Sequence, residues 1–312
     1  MTGAAQFVAG DWGTSHLRLF LCDADGVALE TAEGPGAAAS RGRFADIFES
    51  LTARWNERHG ALSAVLCGMV GSSIGWTETP YVACPAQPDE IFDACVELRD
   101  GRIRVVPGLS CRNRFNAPDY LRGEETQILG ASSLVDSLRE GRRLACLPGT
   151  HTKWVVLENG WVRDFFTAPT GELFAVLRDH SILVRDRPGV DEPEAFELGL
   201  AHCNEFPHAQ VLHRLFECRS RQLSGEFPAP SASAYLSGLL IGADVNGALR
   251  VLADDIATHP VVLIGSPQLT KRYASALTTR GCASQTVDGV AAALAGLRRV
   301  YRHTSEPVTD EH

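Results

Sequence analysis

The chain has 312 residues, of which 45% are hydrophobic and 21% charged, the profile of an ordinary globular protein with room for two domains. Its formal net charge of −9 disfavours a broad nucleic-acid surface, because such a surface needs a basic excess to neutralise phosphates. The nine scattered cysteines lack metal-ligand spacing, and we find no signal peptide or membrane-spanning apolar run, so we expect a cytoplasmic protein with reduced thiols, no zinc site and no membrane contact.

Three strands joined by short turns open the chain. Apolar runs predict strands over residues 7–14, 17–22 and 27–31, with a tight turn at 23–26, and together these make an antiparallel meander. The remaining elements of the first half are a helix through 44–55 with one apolar face, strands over 64–69 and 103–106, and a helix over 124–138.

The same strand and turn pattern returns in the second half. Strands are predicted over 144–147, 154–157 and 161–167, with a polar turn at 148–150 and a strong hairpin signal at Asn159-Gly160. A helical segment over about 171–258, strands over 261–264 and 283–287 and a final helix follow. The repeated pattern predicts two similar domains, 1–142 and 143–312.

The first polar turn has the residue types of a phosphate site. Asp11 ends a strand, and Gly13, Thr14 and Ser15 follow it. Glycine lets a ligand approach the backbone, and successive N–H groups with two hydroxyls can hold phosphate oxygens. Asp11 could hold Mg²⁺ through water. A plain hairpin made of turn-forming residues is the alternative interpretation.

The equivalent turn of the second half, at 148–150, repeats this chemistry. Gly149, Thr150 and Thr152 match the first turn, and Lys153 adds a cation, although that side chain could instead face solvent on its strand. Two polar turns at matching places in similar halves predict a grip on phosphates from both sides of a cleft. A later strand ends in Gly265-Ser266, where adenine or ribose could lie against backbone; an ordinary strand-to-helix turn explains it equally well.

These turns resemble the phosphate 1, phosphate 2 and adenosine motifs of the actin, sugar-kinase and Hsp70 superfamily, and the chain is more specifically similar to the 2-dehydro-3-deoxygalactonokinase family. The matching segments, in family order, are DWGTSHLR at 11–18, GMVGSSIGW at 68–76, YVACPA at 81–86, RGEETQILGA at 122–131, LPGTHTKWV at 147–155, TGELFAVL at 170–177 and LIGSP at 263–267. The resemblance covers about residues 6 to 300.

The resemblance implies an α/β fold of two ribonuclease H-like domains of the actin-like ATPase fold, with an interdomain cleft. It implies an enzyme that uses ATP and Mg²⁺ to phosphorylate the 6-hydroxyl of 2-dehydro-3-deoxy-D-galactonate in D-galactonate catabolism. Its expected partners are this sugar acid and ATP, and the sequence is compatible with a homo-oligomer.

Phosphoryl transfer also needs a base for the attacking hydroxyl. The acidic pair Glu124 and Glu125 opens the helix that links the two domains in this superfamily, and a similar stretch in related exopolyphosphatases is thought to activate water. The sequence does not separate the two residues, and both could merely complement the helix N-terminus. Asp164 and Glu172 are weaker rivals for this role.

The remaining expected ligands fall into a nucleotide set and a substrate set. The nucleotide set is Gly13, Thr14, Ser15, Gly149, Thr150, His151, Lys153, Gly265 and Ser266. The substrate set is Arg18, Arg114 or Arg122 for the carboxylate, Ser72 and Ser73 for hydroxyls, and Trp76 for a sugar face. Surface ion pairs and a plain loop with a half-buried tryptophan are the alternatives.

Two other functions would use the same turns. An exopolyphosphatase-like hydrolase would attack with water, but the chain lacks a long basic track for polyphosphate. A non-catalytic, sugar-acid-binding regulator would normally carry a separate DNA-binding segment, and a pattern that occupies about residues 6 to 300 leaves no room for one.

Overall fold

The structure is a computed structural model, and it describes residues 4–184, 192–205, 211–226, 228, 231–256 and 259–305. The chain forms two compact units. The first combines the described residues of Met1–Arg142, Val156–Phe165 and Val287–His312, and the second combines those of Arg143–Val155 and Phe166–Thr286.

Runs of consecutive strands are separated along the chain by single helices and by runs of helices. The strands are β1 (Ala5–Trp12), β2 (His16–Asp23), β3 (Ala28–Pro35), β4 (Ser63–Gly68), β5 (Tyr81–Ala83), β6 (Val96–Leu98), β7 (Ile103–Val105), β8 (Gly108–Arg112), β9 (Pro118–Leu121), β10 (Arg142–Leu147), β11 (Thr152–Glu158), β12 (Trp161–Ala168), β13 (Val261–Gly265) and β14 (Ser284–Asp288). The helices are α1 (Ala37–Ser40), α2 (Phe44–His59), α3 (Pro88–Asp93), α4 (Glu124–Leu134), α5 (Thr170–His180), α6 (Pro193–Glu205), α7 (Val211–Arg214), α8 (Glu217–Ser224), α9 (Ser231–Val251), α10 (Ala253–Ile256), α11 (Pro267–Thr278) and α12 (Gly289–Ser305).

The first unit contains a sheet in the order β3-β2-β1-β4-β7-β6. The predicted meander is confirmed, since β1 pairs antiparallel with β2 and β2 with β3, while β4 lies parallel to both β1 and β7. β1 has an apolar run at 7–10 because successive side chains point to opposite faces of the sheet and both faces are buried there. The predicted third strand is too short, because β3 continues to Pro35 with alternating exposure that a search for apolar runs misses.

The core of the first unit lies between this sheet and α2. The predicted apolar helix face is confirmed: Phe44, Phe48 and Trp55 are buried, and Ile47 and Leu51 pack beside them. Side chains at these positions recur every three or four residues, so they share one side of a helix. The first sheet is therefore held rigidly beneath the turn that ends β1.

The last helix packs on the first unit. α12 lies against α4 and against strands β1 and β4. The two helices approach closely at glycines: a Cβ on Gly130 would lie 1.8 Å from the Ala292 carbonyl oxygen, and one on Gly296 would lie 2.0 Å from that of Thr126. The predicted second domain, 143–312, therefore does not coincide with the second compact unit, because α12 buries its apolar side against elements of the first.

A second sheet has the order β12-β11-β10-β13-β14. β10, β11 and β12 are successive neighbours, so the repeated strand and turn pattern of the sequence is confirmed as a repeated local structure. β13 runs parallel to β10, with Ala145 opposite Val262. The carboxyl ends of these two strands consequently meet, which brings Gly265 beside Pro148.

Some elements carry too little local signal to be predicted. β5, β8 and β9 form a three-stranded sheet in the first unit from short, partly polar segments. The helix predicted over 124–138 ends at Leu134, because Val135 is extended and a 3₁₀ segment, Asp136–Arg139, follows. The helical segment predicted over about 171–258 contains α5 to α10 in its described part; the rest of it lies outside the described residues.

The glycine contact between α4 and α12 should be essential for stability. Gly296→Ala places a methyl group against backbone that cannot move aside, so we expect a loss of about 3 kcal/mol in the free energy of unfolding. Gly247→Ala on α9 is the matched control, because nothing lies within 4 Å of its added Cβ. Helix propensity should make that variant up to about 1 kcal/mol more stable. Equal melting temperatures for the two variants would contradict this role of the crossing.

Candidate functional site

The turn between β1 and β2 presents two hydroxyls to solvent on a fixed backbone. Thr14 and Ser15 are exposed, and the carbonyls of the turn accept hydrogen bonds from the chain that enters α1. The Ala37 N–H donates to the Gly13 carbonyl at 2.9 Å, and Gly36 has no space for a side chain because its Cβ would lie 2.3 Å from the Ser15 carbonyl carbon. This support is absent from the predicted elements, although the glycines at 34 and 36 beside a run of alanines signal it.

Asp11 sits at the base of this turn and is paired with Arg18. The two residues are opposite each other in the β1–β2 register, and the Arg18 Nη2 donates to Asp11 Oδ2 at 2.8 Å. A surface hollow of about 460 Å³ adjoins the pair, and Asp11, Gly13, Ser15, His16, Leu17, Arg18 and Glu33 line it. Arg18, predicted as a substrate ligand, therefore serves here as the partner of the predicted magnesium ligand.

The end of β4 and the start of α4 pack closely against each other at two glycines, Gly68 and Gly123. Gly68 has a φ of 89° and Gly123 a φ of 103°, a region that side chains disfavour. A Cβ on Gly123 would lie 3.3 Å from the Gly68 Cα, and one on Gly68 would lie 2.9 Å from the Trp12 carbonyl oxygen and 3.6 Å from Asp11 Oδ1. The Asp11 end of β1 and the first turn of α4 thus converge within the first unit.

The acidic pair at the start of α4 occupies two different environments. Glu125 is fully buried; its carboxylate accepts hydrogen bonds from the Gly123 N–H at 2.6 Å and from the Thr126 hydroxyl at 3.0 Å. Burial, and then the charge of Glu124, raises the pKa of Glu125 to about 8. Glu124 is partly exposed and accepts a bond from the Arg122 N–H at 3.0 Å. The sequence could not foresee this difference, because it depends on what covers each side chain.

The loop after β4 holds part of the predicted substrate set. The Ser72 hydroxyl donates to the Met69 carbonyl at 2.8 Å, whereas Ser73 is exposed. Trp76 packs against Trp12 and Phe48 at ring-centroid distances of 6.4 and 5.7 Å. Within this unit Trp76 thus packs on the core, which is the alternative interpretation of the sequence.

Arg122 connects this loop to the small sheet. Its guanidinium donates to the Thr79 carbonyl at 3.0 Å and to the Thr79 hydroxyl, and it lies 4.3 Å from the centre of the Tyr81 ring. Thr79 lies just before β5 and Tyr81 is its first residue, so the Arg122 side chain links the start of α4 to the segment that enters the small sheet. The predicted role of Arg122 as a substrate ligand would have to be added to this structural role.

The turn between β10 and β11 lies directly against the start of α5. A Cβ on Gly171 would lie 2.4 Å from the Gly149 carbonyl oxygen, and the Glu172 N–H donates to the Thr150 carbonyl at 2.9 Å. His151 Nε2 lies 2.7 Å from Glu172 Oε2, and both side chains are exposed. Glu172, a weaker rival for the base, is therefore a neighbour of the second turn, which the sequence analysis had not placed there.

Lys153 does not face solvent. It is 6% exposed, and its Nζ donates to the Thr167 hydroxyl at 2.7 Å, so the solvent-facing alternative is wrong. β11 is an inner strand of its sheet, and both of its faces are consequently covered. Lys153 can add positive charge beneath the turn, but it does so from a buried position.

Gly265 ends β13 beside the same turn, and Ser266 follows it. A Cβ on Gly265 would meet the Pro148 carbonyl oxygen at 3.5 Å, an ordinary contact, so this glycine is not required by close packing. Ser266 occupies the N-cap position of α11, which starts at Pro267, and its side chain makes no capping hydrogen bond. The second unit thus places the end of β13 beside Pro148, the first residue of the turn at 148–150.

The other candidate groups are paired elsewhere. Asp164, a weaker rival for the base, pairs with Arg114 at 3.2 Å, and Arg114 was a third candidate for the substrate carboxylate. Within the described ranges, no group of three or more His, Cys, Asp or Glu side chains could hold a metal ion. A single carboxylate such as Asp11 does fit Mg²⁺, which binds proteins through one or two carboxylates together with substrate phosphates. No helix among the described residues is long and apolar enough to cross a membrane.

Known proteins resemble this chain over nearly its whole length. Residues 11–300 match the family model described as 2-keto-3-deoxy-galactonokinase. A protein of Rhizobium meliloti (strain 1021), named a probable 2-dehydro-3-deoxygalactonokinase, is 38% identical over 97% of this chain and 98% of its own length. The 2-dehydro-3-deoxygalactonokinase of Escherichia coli (strain K12) is 34% identical over 95% of this chain and 97% of its own length.

Solved structures agree with the predicted fold class. A crystal structure from Sinorhizobium meliloti with the same enzyme name matches with a TM-score of 0.86 and 36% identity, covering 96% of this chain and 99% of that one. Component A of the (R)-2-hydroxyglutaryl-CoA dehydratase of Acidaminococcus fermentans matches with a TM-score of 0.52 and 11% identity over 96% of this chain and 99% of that one, so it bears on the fold alone. The predicted α/β, actin-like ATPase fold is confirmed.

The raised pKa of Glu125 should appear in the pH dependence of stability. The folded protein keeps a proton on this carboxyl up to about pH 8, whereas an unfolded glutamate loses it near 4.5. Between these values the free energy of unfolding should fall by about 1.4 kcal/mol per pH unit from this group. Glu125→Gln, which cannot ionise, should remove that contribution.

The measurement is unfolding of both proteins between about pH 5 and about pH 8. Other titrating groups are common to both proteins, so the difference between the two curves isolates Glu125. The variant should gain stability relative to the parent as pH rises. Parallel curves over this whole range would show that Glu125 is ionised in the folded protein.

Proposed function

Because this chain belongs to the 2-keto-3-deoxy-galactonokinase family, we propose that it transfers the γ-phosphate of ATP to the 6-hydroxyl of 2-dehydro-3-deoxy-D-galactonate, in D-galactonate catabolism. The single observation that carries this proposal is the family match over residues 11–300 together with two full-length relatives of that name. No relative of this similarity bears the name of a polyphosphatase or a regulator, and neither alternative is supported.

The two polar turns are the proposed phosphate ligands. The first carries the exposed hydroxyls of Thr14 and Ser15, and the N–H groups at 36–38 donate to its carbonyls from behind. The second carries the exposed hydroxyl of Thr150, whose carbonyl accepts from the Glu172 N–H. Such donors stabilise phosphoryl transfer only if they are in place before the reaction, since reorganising them would cost free energy. Gly265 and Ser266 are proposed to contact the adenosine part, because ordinary spacing around Gly265 leaves the backbone approachable.

Asp11 is proposed as the carboxylate of a magnesium site. Bound Mg²⁺ would supply charge neutralisation on the ATP phosphates. Arg18, already paired with Asp11 Oδ2, would hold that carboxylate in place beside the hollow that both residues line. Of the substrate ligands expected in the loop after β4, we retain Ser73, whose side chain is exposed. Ser72, Trp76 and Arg122 would instead stabilise the loop through their contacts within the protein.

Glu125 is proposed as the base, with Glu124 as its rival. A carboxyl with a pKa near 8 is better matched than an ordinary one to taking a proton from a hydroxyl near neutral pH. Gly123 and Gly68 hold the start of α4 beside the Asp11 end of β1, so the base and the magnesium carboxylate lie on adjoining segments. Glu124 would then act by raising the pKa of its neighbour. A cytoplasmic location and a homo-oligomeric state stay predictions of the sequence.

The function is tested by a coupled assay of ADP release. We expect 2-dehydro-3-deoxy-D-galactonate to be phosphorylated at its terminal hydroxyl with a higher kcat/KM than its gluconate epimer, because a site built for one hydroxyl leaves a polar group unpaired with the other. Discrimination between the epimers should be modest, since the loop at 71–76 contains two glycines. Asp11→Asn is the control and should lower kcat by a large factor while leaving the fold intact. Faster turnover of glucose or galactose would sink the substrate assignment.

The base is tested by the pH dependence of kcat/KM. The unaltered protein should gain activity as pH rises toward about 8, where Glu125 ionises. Glu125→Gln should remove that rise and lower kcat by about a hundredfold or more. Glu124→Gln should move the rise to lower pH, because the charge of Glu124 helps to raise the pKa of Glu125. If Glu124→Gln is the inactive variant and Glu125→Gln turns over normally, the base is Glu124.

A further inference from the structure

A partly buried carboxylate joins four elements of the second unit through neutral hydrogen-bond donors. Asp244 on α9 accepts from the Trp154 Nε1 at 2.9 Å, from the Thr170 hydroxyl at 2.7 Å and from the Tyr273 hydroxyl at 2.6 Å. The Tyr273 hydroxyl also lies 2.8 Å from that of Thr152. Thr152, Trp154, Thr170 and Tyr273 are all buried, and they belong to β11, α5 and α11.

The directions of these hydrogen bonds are determined by the carboxylate. An ionised carboxylate can only accept, so Thr170 and Tyr273 must point their hydroxyl hydrogens at Asp244. Tyr273 has then used its one hydrogen, and Thr152 must donate to Tyr273 in turn. Each hydroxyl therefore has one orientation, and a chain of contacts runs from Asp244 to Thr152.

Placing the charged carboxylate of Asp244 in this environment costs folding free energy, so stability alone does not explain it. Burial raises the pKa of Asp244, which shows that the surroundings oppose its charge. Apolar side chains of similar volume usually stabilise a core at least as well as a buried charged group. We therefore look for a role of the network in its location within the second unit.

The network holds both sides of the second polar turn. Thr152 is the first residue after that turn, and Thr170 immediately precedes Gly171, which packs against Gly149 and Thr150. Asp244 accepts a hydrogen bond from Thr170 directly, and it is linked to Thr152 through the hydroxyl of Tyr273. The strand that leaves the turn and the helix that supports it are consequently tied to the same carboxylate.

We infer that Asp244 is a positioning residue that keeps the turn at 148–151 and the start of α5 in the geometry that binds the phosphates of the nucleotide. This inference rests on the proposed function, since it takes the turn to be a phosphate ligand. Asp244 does not itself contact the nucleotide. Its effect passes through Thr152 and Thr170, and it should therefore appear in nucleotide affinity more than in the binding of the sugar acid.

The test compares two tyrosines of the second unit whose hydroxyls each donate to a carboxylate. Tyr273→Phe removes the hydroxyl between Asp244 and Thr152. Tyr235→Phe, the matched control, removes a buried hydroxyl that donates to Glu217 at 2.7 Å, in the helical part of the same unit. Thr170→Val removes a second donor to Asp244, and Thr170→Ser restores it. The readouts are the melting temperature, the affinity for a non-hydrolysable ATP analogue with Mg²⁺, and hydrogen exchange of the turn at 149–152.

Tyr273→Phe and Thr170→Val should each weaken analogue binding about tenfold, the effect of one hydrogen bond, and should speed exchange at 149–152. Tyr235→Phe should lower the melting temperature comparably while leaving affinity and exchange at the turn unchanged, and Thr170→Ser should bind normally. Equal weakening by Tyr273→Phe and Tyr235→Phe, or none by either, overturns the positioning role. If the unaltered protein binds no analogue, the proposed function itself fails, and the two failures are thereby distinguished.

Discussion

The close backbone contact between Gly68 and Gly123 is the constraint on which the candidate site of the first unit depends. Both residues have positive φ, and a side chain on either would meet backbone of the other segment or of Trp12. Only because they lack side chains can the start of α4 reach the end of β4, next to Asp11 at the end of β1. This contact places the start of α4, with the buried Glu125 as its second residue, beside the Asp11 segment.

Both units support a polar turn by the same physical means. In each, the turn joins two neighbouring strands, and the start of a following helix donates backbone N–H groups to the turn's carbonyls. A glycine at the contact, Gly36 in the first unit and Gly171 in the second, removes the side chain that would otherwise separate turn and helix. Because the carbonyls are already bonded, the turn cannot rearrange cheaply, and its remaining donors and hydroxyls face outward. The second unit adds Asp244, a partly buried carboxylate that accepts hydrogen bonds from three neutral donors, as a further brace.

Several residues that look like ligands in the sequence are committed to the protein itself. Arg18 binds Asp11, Arg122 holds Thr79 and Tyr81, Trp76 packs on the core, and Lys153 is buried beside Thr167. A charged or aromatic residue near a motif indicates only that its side chain can make a strong interaction. Whether a ligand or another side chain takes that interaction depends on residues distant in sequence, such as Thr79 for Arg122. Predictions of ligand contacts are therefore least certain for long side chains, because these have several possible partners within the protein.

The sequence by itself determined the repeated meander, the apolar face of α2, the two polar turns, the strand that ends at Gly265 and, through its resemblance, the family. These are features of short segments, in which periodicity, turn-forming residues and local motifs carry the signal. Only the tertiary structure decided that α12 packs on the first unit, that Glu125 rather than Glu124 is buried, and that Asp244, Thr170 and Tyr273 brace the second turn. Burial and pairing are properties of contacts between residues far apart in the chain, and no window of sequence contains both partners.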